Sequence, residues 1–116
     1  TARFDENEYI LLLTLKAGEY TGSRVSDVDL FRIRNAMPHL AETLKKSLRP
    51  GDAVAQFSDS QYVILLSACT YEGGMLAANR IISKFYQDHK VYRNLKIKIH
   101  IEKVKTAEHI LNKYSG

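Results

Sequence analysis

The most distinctive chemical feature of this 116-residue sequence is an arginine and an aspartate separated by two residues, in Arg49-Pro50-Gly51-Asp52. The planar fork of an arginine can hold a phosphate group, and an aspartate can accept hydrogen bonds from the N–H groups of a ligand. The pair also has a structural interpretation. The dipole favours an arginine at a helix C-terminus, and Asp after Pro-Gly is common in turns. The sequence leaves both interpretations open.

Other residue types that could do chemistry do not form a recognisable site. Gly73-Gly74 stands at a predicted helix start but lacks the G-x-x-x-x-G-K-[ST] arrangement of a phosphate loop. Cys69 ends an apolar segment and is expected to be a small buried side chain. The histidines show no metal-ligand spacing among themselves or with Cys69; they are His39, His89, His100 and His109. We therefore predict no metal site and no cofactor.

The composition is that of one globular domain, predicted to span residues 1–116. Hydrophobic residues make up 45% of the chain and charged residues 26%. The formal net charge is +4, but the basic residues are spread along the chain, so we predict no direct contact with nucleic acid. No apolar run reaches the roughly 20 residues of a membrane helix. The acidic N-terminus and the single cysteine favour a cytoplasmic location, and a chain that begins with Thr1 is expected to be a fragment of a larger protein.

Four segments have the pattern of β-strands. Tyr9 to Leu15 and Gln61 to Ala68 are nearly continuous apolar runs, which predict central strands buried on both faces. Asp52 to Phe57 precedes the second of these, and Ser58-Asp59-Ser60 predicts a hairpin between them. The segment Leu95 to Ile101 alternates, which predicts a half-exposed edge strand. Its inward residues would be Leu95, Ile97, Ile99 and Ile101, and its outward residues Lys96, Lys98 and His100.

Two amphipathic helices are predicted between these strands. Ser26 is expected to cap the first, with acidic residues in its first turn, and Pro38 is expected to kink or divide it. Thr70 is expected to cap the second, whose first turns Gly73 and Gly74 weaken. The predicted buried face of the first helix is Leu30, Ile33, Met37, Leu40, Leu44 and Leu48. That of the second is Met75, Ala78, Ile82 and Phe85. A short helix is also expected from Thr106 to Tyr114.

The element order is therefore β-α-β-β-α-β. Since the first and third strands are the most apolar, they should be central, with the other two at the edges. This predicts an α+β fold of the ferredoxin-like kind: a four-stranded antiparallel sheet in the order 4-1-3-2, with both helices on one face.

A family resemblance lies in the order of motifs from Leu48 to Phe85. Arg49-Pro50-Gly51-Asp52 is followed by five residues and then by Ser58-Asp59-Ser60-Gln61-Tyr62, an apolar strand, and a helix containing Asn79-Arg80-Ile81-Ile82. This order and spacing resemble the GGDEF family of bacterial diguanylate cyclases, over roughly two thirds of the chain. More narrowly, LRPGD…SDSQYVILL…YEGG…RI is similar to diverged GGDEF-like modules joined to bacterial transcriptional-activator domains.

The resemblance implies that the chemistry of the family is lost. A cyclase needs carboxylates to hold the metal ions that bind GTP. In the family these are an aspartate of the first strand and an acidic pair of the signature, which fall here at Thr14, Ser60 and Gln61. None of these carries a negative charge, and Lys16 would repel a metal. We therefore expect no diguanylate cyclase activity.

The phosphate-binding part of the signature is altered as well. Glycines let a backbone approach phosphates closely, but Ser58 and Asp59 stand at the glycine positions. The shorter segment AGEYTGSR replaces the guanine-contacting region that follows the first strand in the family. These losses agree with those at the metal positions.

Three functions stay open, the first of them favoured. The chain is predicted to be a non-catalytic regulatory module of a bacterial regulator that acts through its neighbouring domains or by forming a dimer, with tyrosines 20, 71, 86 and 92 as contact area. The alternative is a sensor of cyclic di-GMP or another nucleotide, because the resemblance places Arg49 and Asp52 at the family's inhibitory site. An active cyclase is the third.

Overall fold

The computed structural model describes residues 7–17 and 26–104. Four strands form one antiparallel sheet: β1 (Asn7–Lys16), β2 (Ala53–Ser58), β3 (Gln61–Cys69) and β4 (Lys96–Lys103). Their order across the sheet is β2-β3-β1-β4, which confirms the predicted topology. The helix expected from Thr106 to Tyr114 and most of the AGEYTGSR segment lie outside the described residues.

The helices are α1 (Asp27–Ser47) and α2 (Tyr71–Asp88), and a short 3-10 helix, Lys90–Tyr92, follows α2. Both predicted caps are present. The Ser26 hydroxyl accepts from the Asp29 N–H at 3.1 Å, and the Thr70 hydroxyl accepts from the Gly73 N–H at 3.0 Å. These bonds satisfy backbone donors that have no partner inside the helix.

Helix α1 is not divided at Pro38, contrary to one of the two outcomes expected for it. The helix runs without interruption from Asp27 to Ser47, with Pro38 on its exposed side. Proline removes only its own backbone N–H, so the carbonyl that would have accepted it can turn towards solvent.

The core lies between the two helices and one face of the sheet. Alternate residues of β1 are buried on this face, together with the middle of each helix. The prediction that the central strands are buried on both faces was wrong. Ile10, on the opposite face of β1, is 36% exposed, because neither helix covers that side within the described ranges. In this protein an apolar run therefore indicates a central strand, but it does not indicate that both faces of that strand are buried.

The buried helix faces differ from the predicted ones at a few positions. Leu30 is 46% exposed because it lies in the first turn of α1, before the buried stripe begins at Ile33. In α2 the buried residues are Gly74, Ala78, Ile81 and Phe85, so Met75 and Ile82 only flank this face. Gly74 belongs to it because a Cβ atom at this position would come within 2.6 Å of Ile101 on β4.

The edge strands follow the sequence pattern. In β4, Lys96, Lys98 and His100 are exposed, and the isoleucines between them are half-buried against the core. Two tyrosines expected to be exposed, Tyr86 and Tyr92, are half-buried and pack on that core as well. No helix within the described ranges is long and apolar enough to cross a membrane.

Candidate functional site

The β2–β3 hairpin brings together, at one end of β1, the positions at which the resemblance places the metal ligands of the family. Thr14 of β1 lies opposite Gln61 of β3 in the antiparallel register. The Leu15 N–H donates to the Ser60 carbonyl at 2.8 Å, which fixes the hairpin against the end of β1. The structure thus places Thr14, Ser60 and Gln61 side by side.

These positions are connected by neutral hydrogen bonds. The Gln61 amide donates to the Thr14 hydroxyl at 3.0 Å. The Ser58 hydroxyl in turn donates to the Gln61 amide oxygen at 2.9 Å, and it accepts from the Ser60 N–H at 3.3 Å. Both polar ends of the Gln61 side chain are therefore used inside the protein. None of these groups is a carboxylate, the type of side-chain ligand that Mg²⁺ prefers.

A cavity of about 390 Å³ lies beside this network, and Lys16 is the charged residue in its wall. Among the described residues of this wall the charged group is positive, which disfavours a cation. The lining residues are Thr14, Leu15, Lys16, Ala17, Leu30, Ile33 and Ser60. The described part of this wall therefore suits apolar or anionic groups better than a divalent cation.

The two remaining signature positions have different roles. Asp59 is exposed at the tip of the hairpin. Tyr62 is buried, and its hydroxyl donates to the Met37 carbonyl of α1 at 2.8 Å. Burial raises the pKa of the Tyr62 phenol above its usual value. Tyr62 thus joins the hairpin to α1 and is part of the core.

The second predicted site lies in the turn between α1 and β2. The Asp52 side chain is only 2% exposed. One of its oxygens accepts from the Arg49 N–H at 2.9 Å, and the other accepts from the Ser67 N–H at 3.0 Å and from the Ser67 hydroxyl at 3.3 Å. Burial acts to raise the pKa of Asp52, but the hydrogen bonds from Ser67 and Arg49 and the Arg49 charge together lower it below its ordinary value. Asp52 is therefore held as a carboxylate inside the turn.

Arg49 is held from two sides and remains accessible. Its Nη2 donates to the Ser67 carbonyl at 2.6 Å, its Nε lies 3.5 Å from Asp52, and 54% of its side chain is exposed. Gly51 allows the tight turn because its φ is +95°, in the left-handed region. The turn thus presents a fixed guanidinium on the surface, while its aspartate faces inwards.

A bulge in β3 supplies the Ser67 groups that hold this pair. Between the pairs Tyr9↔Leu66 and Asn7↔Cys69, β3 has one residue more than β1. Ala68, in this interval, has a φ of +49°, which is uncommon for a residue with a Cβ. The extra residue turns the Ser67 backbone towards Arg49 and Asp52 instead of along the strand ladder. Sequence reasoning did not find this bulge, because neither glycine nor a turn motif marks it.

Arg49 and Asp52 line a cavity of about 240 Å³ between the end of α1, β3 and α2. Helix α2 contributes a second arginine, Arg80, on the same face as Gly73 and Ala77. Sequence reasoning did not assign Arg80 to this site, although the spacing of 73, 77 and 80 places all three on one helix face. Cys69, expected to be buried, is half-buried in the same wall. The cavity therefore combines two exposed cationic groups with a buried, hydrogen-bonded carboxylate.

Comparison with solved structures finds the same fold in PelD from Pseudomonas aeruginosa PA14, which was solved in complex with c-di-GMP. The TM-score is 0.52 and the sequence identity is 14%; the match covers 98% of this chain and 39% of the PelD chain. This chain thus spans well under half of the PelD chain. No protein-family profile and no curated protein sequence matches it. At this identity the likeness concerns the fold, and it agrees with the α+β sheet described above.

Proposed function

We propose that this chain is a non-catalytic GGDEF-like module with a regulatory role. The observation that carries the proposal is the hydrogen bond from Gln61 to Thr14 at the positions where the resemblance places metal-binding carboxylates. Joining two GTP molecules requires metal ions that neutralise the triphosphates and activate a ribose hydroxyl. A neutral amide and a neutral hydroxyl that are hydrogen-bonded to each other do not replace carboxylates in that role. Incubation with GTP and Mg²⁺ or Mn²⁺ tests the proposal, and we expect no cyclic di-GMP to form.

A non-catalytic domain of this kind acts through contacts with other parts of a regulator. We propose that it belongs to a larger cytoplasmic protein, with a bacterial transcriptional regulator as the setting that the sequence pattern favours. Tyr71 at the start of α2 and Phe57 at the end of β2 are large exposed side chains suited to such contacts. Light scattering after size-exclusion chromatography, on the chain alone and joined to its native neighbour, is the test. A strict monomer in both cases would contradict an assembly role.

Cyclic di-GMP binding is a second candidate function, favoured by the cavity between α1, β3 and α2. Two of its wall residues are exposed arginines, and arginine forks suit the phosphates and guanine edges of a cyclic dinucleotide. PelD, whose fold this chain shares, was solved with c-di-GMP. Arg49 and Arg80 would then contact the ligand. Asp52 would act as a positioning residue, because its oxygens already accept hydrogen bonds from Arg49 and Ser67.

Isothermal titration calorimetry with cyclic di-GMP tests this second function. We expect Arg49→Ala and Arg80→Ala each to weaken binding at least tenfold, on the order of 1.4 kcal/mol or more. Arg93→Ala is the matched control, since Arg93 is exposed and lies outside the cavity wall. No heat at high micromolar ligand, or equal affinity in all three variants, would rule out a nucleotide site here and leave the non-catalytic assignment untouched.

A further inference from the structure

A second group of ligating side chains lies on the helical side of the molecule, where α1 meets the end of α2. His39 and Glu42 are three residues apart on α1, so they share one helix face. His89 is the C-terminal cap residue of α2. One ligand atom from each of the three residues lies within 4.8 Å of those of the other two. Fifty positions of sequence separate the histidines, which is why no spacing motif revealed the group.

Both imidazole rings pack against other aromatic rings. The His39 and His89 ring centroids are 4.8 Å apart, with 43° between the ring planes. The ring centroid of Tyr92 lies 5.7 Å from that of His39, and the ring centroid of the fully buried Phe85 lies 5.5 Å from that of His89. The His89 N–H also donates to the Phe85 carbonyl at 2.9 Å, which ties this residue to the last turn of α2. The two rings are thus half-buried and in contact with aromatic neighbours.

The polar atoms of this group remain available for a ligand. Within residues 7–17 and 26–104, the hydrogen bond at His39 involves its carbonyl and not its ring, and neither imidazole has an assigned hydrogen bond. Glu42 is exposed and belongs to none of the ion pairs found in those ranges. Two imidazoles and a carboxylate therefore lie close together, and within the described residues their nitrogen and oxygen atoms make no other hydrogen bond or ion pair.

We propose that His39, Glu42 and His89 form a binding site for a divalent metal ion of the zinc type. Two imidazole nitrogens and a carboxylate oxygen are a donor set that Zn²⁺ accepts, with a fourth position left for water or another ligand. In a tetrahedral site with bonds of about 2.0–2.1 Å the ligand atoms stand about 3.4 Å apart. The atoms observed here would have to approach by up to about 1.4 Å, within reach of side-chain rotation. Metal binding at this place would connect α1 to the end of α2.

The site is independent of the hairpin and of the arginine-lined cavity. None of its three residues lines either cavity. The ligand class also differs, since this donor set includes nitrogen atoms and favours transition metals over Mg²⁺. A metal here would be structural or regulatory and would not restore cyclase chemistry.

Zinc titration in competition with a chromophoric chelator tests the proposal on the 116-residue chain. We expect one equivalent of Zn²⁺ to bind, with affinity reduced at least tenfold in His39→Gln and in His89→Gln, and reduced in Glu42→Gln. His100→Gln is the matched control: His100 is exposed on β4, with its ring 3.8 Å from Glu102, and its replacement should leave affinity unchanged. Absence of binding at submillimolar zinc, or equal affinity in all variants, would overturn the proposal.

A second measurement on the unsubstituted protein guards against variants that fail to fold. The imidazole signals of His39 and His89 in a nitrogen-15 NMR spectrum should shift together on addition of one equivalent of Zn²⁺, while the His100 signal stays in place. Circular dichroism of each variant without metal should match that of the parent chain. Zinc-induced shifts at His100 with none at His39 or His89 would place the metal elsewhere.

Discussion

The Gln61 amide donates a hydrogen bond to the Thr14 hydroxyl across 3.0 Å, joining the first strand to the start of the third. This contact connects two positions at which an active cyclase of the family that this chain resembles would carry metal ligands. The same geometry that would bring two carboxylates together for a cation here brings together an amide and a hydroxyl, which satisfy each other. We propose that the absence of metal-binding carboxylates and the presence of this hydrogen bond go together.

Placing carboxylates at this contact should make the thermal stability of the protein depend on Mg²⁺, without producing cyclase activity. In the double variant Thr14→Asp/Gln61→Glu, two like charges replace a hydrogen bond, so we expect destabilisation of about 1–3 kcal/mol in metal-free buffer. Millimolar Mg²⁺ should recover part of the lost Tm, whereas the parent chain should melt at the same temperature with and without Mg²⁺. The isosteric variant Thr14→Asn/Gln61→Glu, with one carboxylate, is the control. A Mg²⁺-dependent rise in the Tm of the parent chain would contradict this account.

Asp52 should make folding stability depend on pH in the acid range. Its pKa is lowered in the folded protein, so its contribution is fully present above the unfolded value, near 3.8. The contribution is lost as pH falls through the folded pKa, because the unfolded chain then binds the proton first. We expect Asp52→Asn to reduce the free energy of unfolding at pH 7 by about 1–3 kcal/mol. Urea titrations should show this difference shrink below about pH 4.

Asp59→Asn is the matched control for that experiment, since Asp59 is an exposed aspartate at the hairpin tip. Its free energy of unfolding should stay within about 0.5 kcal/mol of the parent at neutral pH. An Asp52→Asn variant as stable as the parent at pH 7 would show that the bonds to Ser67 and Arg49 contribute little.

The left-handed backbone at Ala68 should respond to substitution in an unusual direction. Replacing Ala68 with glycine relieves a conformation that is unfavourable by about 1–2 kcal/mol for a residue with a Cβ, so we expect no loss of stability and a gain of up to about 1 kcal/mol. In contrast, Ala55→Gly on edge strand β2 should destabilise by about 0.5–1 kcal/mol. Thermal melts of the two variants make the comparison. Equal destabilisation by both would contradict the left-handed assignment.

The buried hydroxyl of Tyr62 should stabilise the attachment of α1 to the hairpin. Tyr62→Phe removes the bond to the Met37 carbonyl, so we expect a loss of about 1–2 kcal/mol. Tyr71→Phe, at a half-exposed tyrosine whose ring meets Tyr9 edge-on, should have little effect.

Because burial raises the Tyr62 pKa, stability should also fall as pH rises above about 10, where the unfolded chain loses its proton first. Unfolding in urea at pH 8 and pH 11 measures both effects.

The sequence predicted most features that arise locally. Ser26 and Thr70 cap their helices because a hydroxyl three residues before a free N–H needs no tertiary context. The strand order followed from the apolar content of β1 and β3, since central strands are the most buried. Alternation likewise placed the exposed lysines of β4 correctly.

What the sequence did not reveal depends on how the elements meet. The bulge at Ala68 is a matter of register between β1 and β3, and an alanine gives no signal for it. Arg80 joins the Arg49 cavity, and His89 meets His39, only because α2 packs beside α1. The inward direction of Asp52 follows from the same bulge, which brings Ser67 to it. Such contacts come from tertiary packing, which motif spacing does not encode.

The most direct measurement of the central claim is product formation from GTP, followed by chromatography after prolonged incubation with Mg²⁺ or Mn²⁺. We predict neither cyclic di-GMP nor its linear dinucleotide intermediate, with the parent chain indistinguishable from a Thr14→Ala/Gln61→Ala variant. Metal-dependent formation of cyclic di-GMP by the parent chain, absent in this variant, would contradict the claim that this chain has no diguanylate cyclase activity.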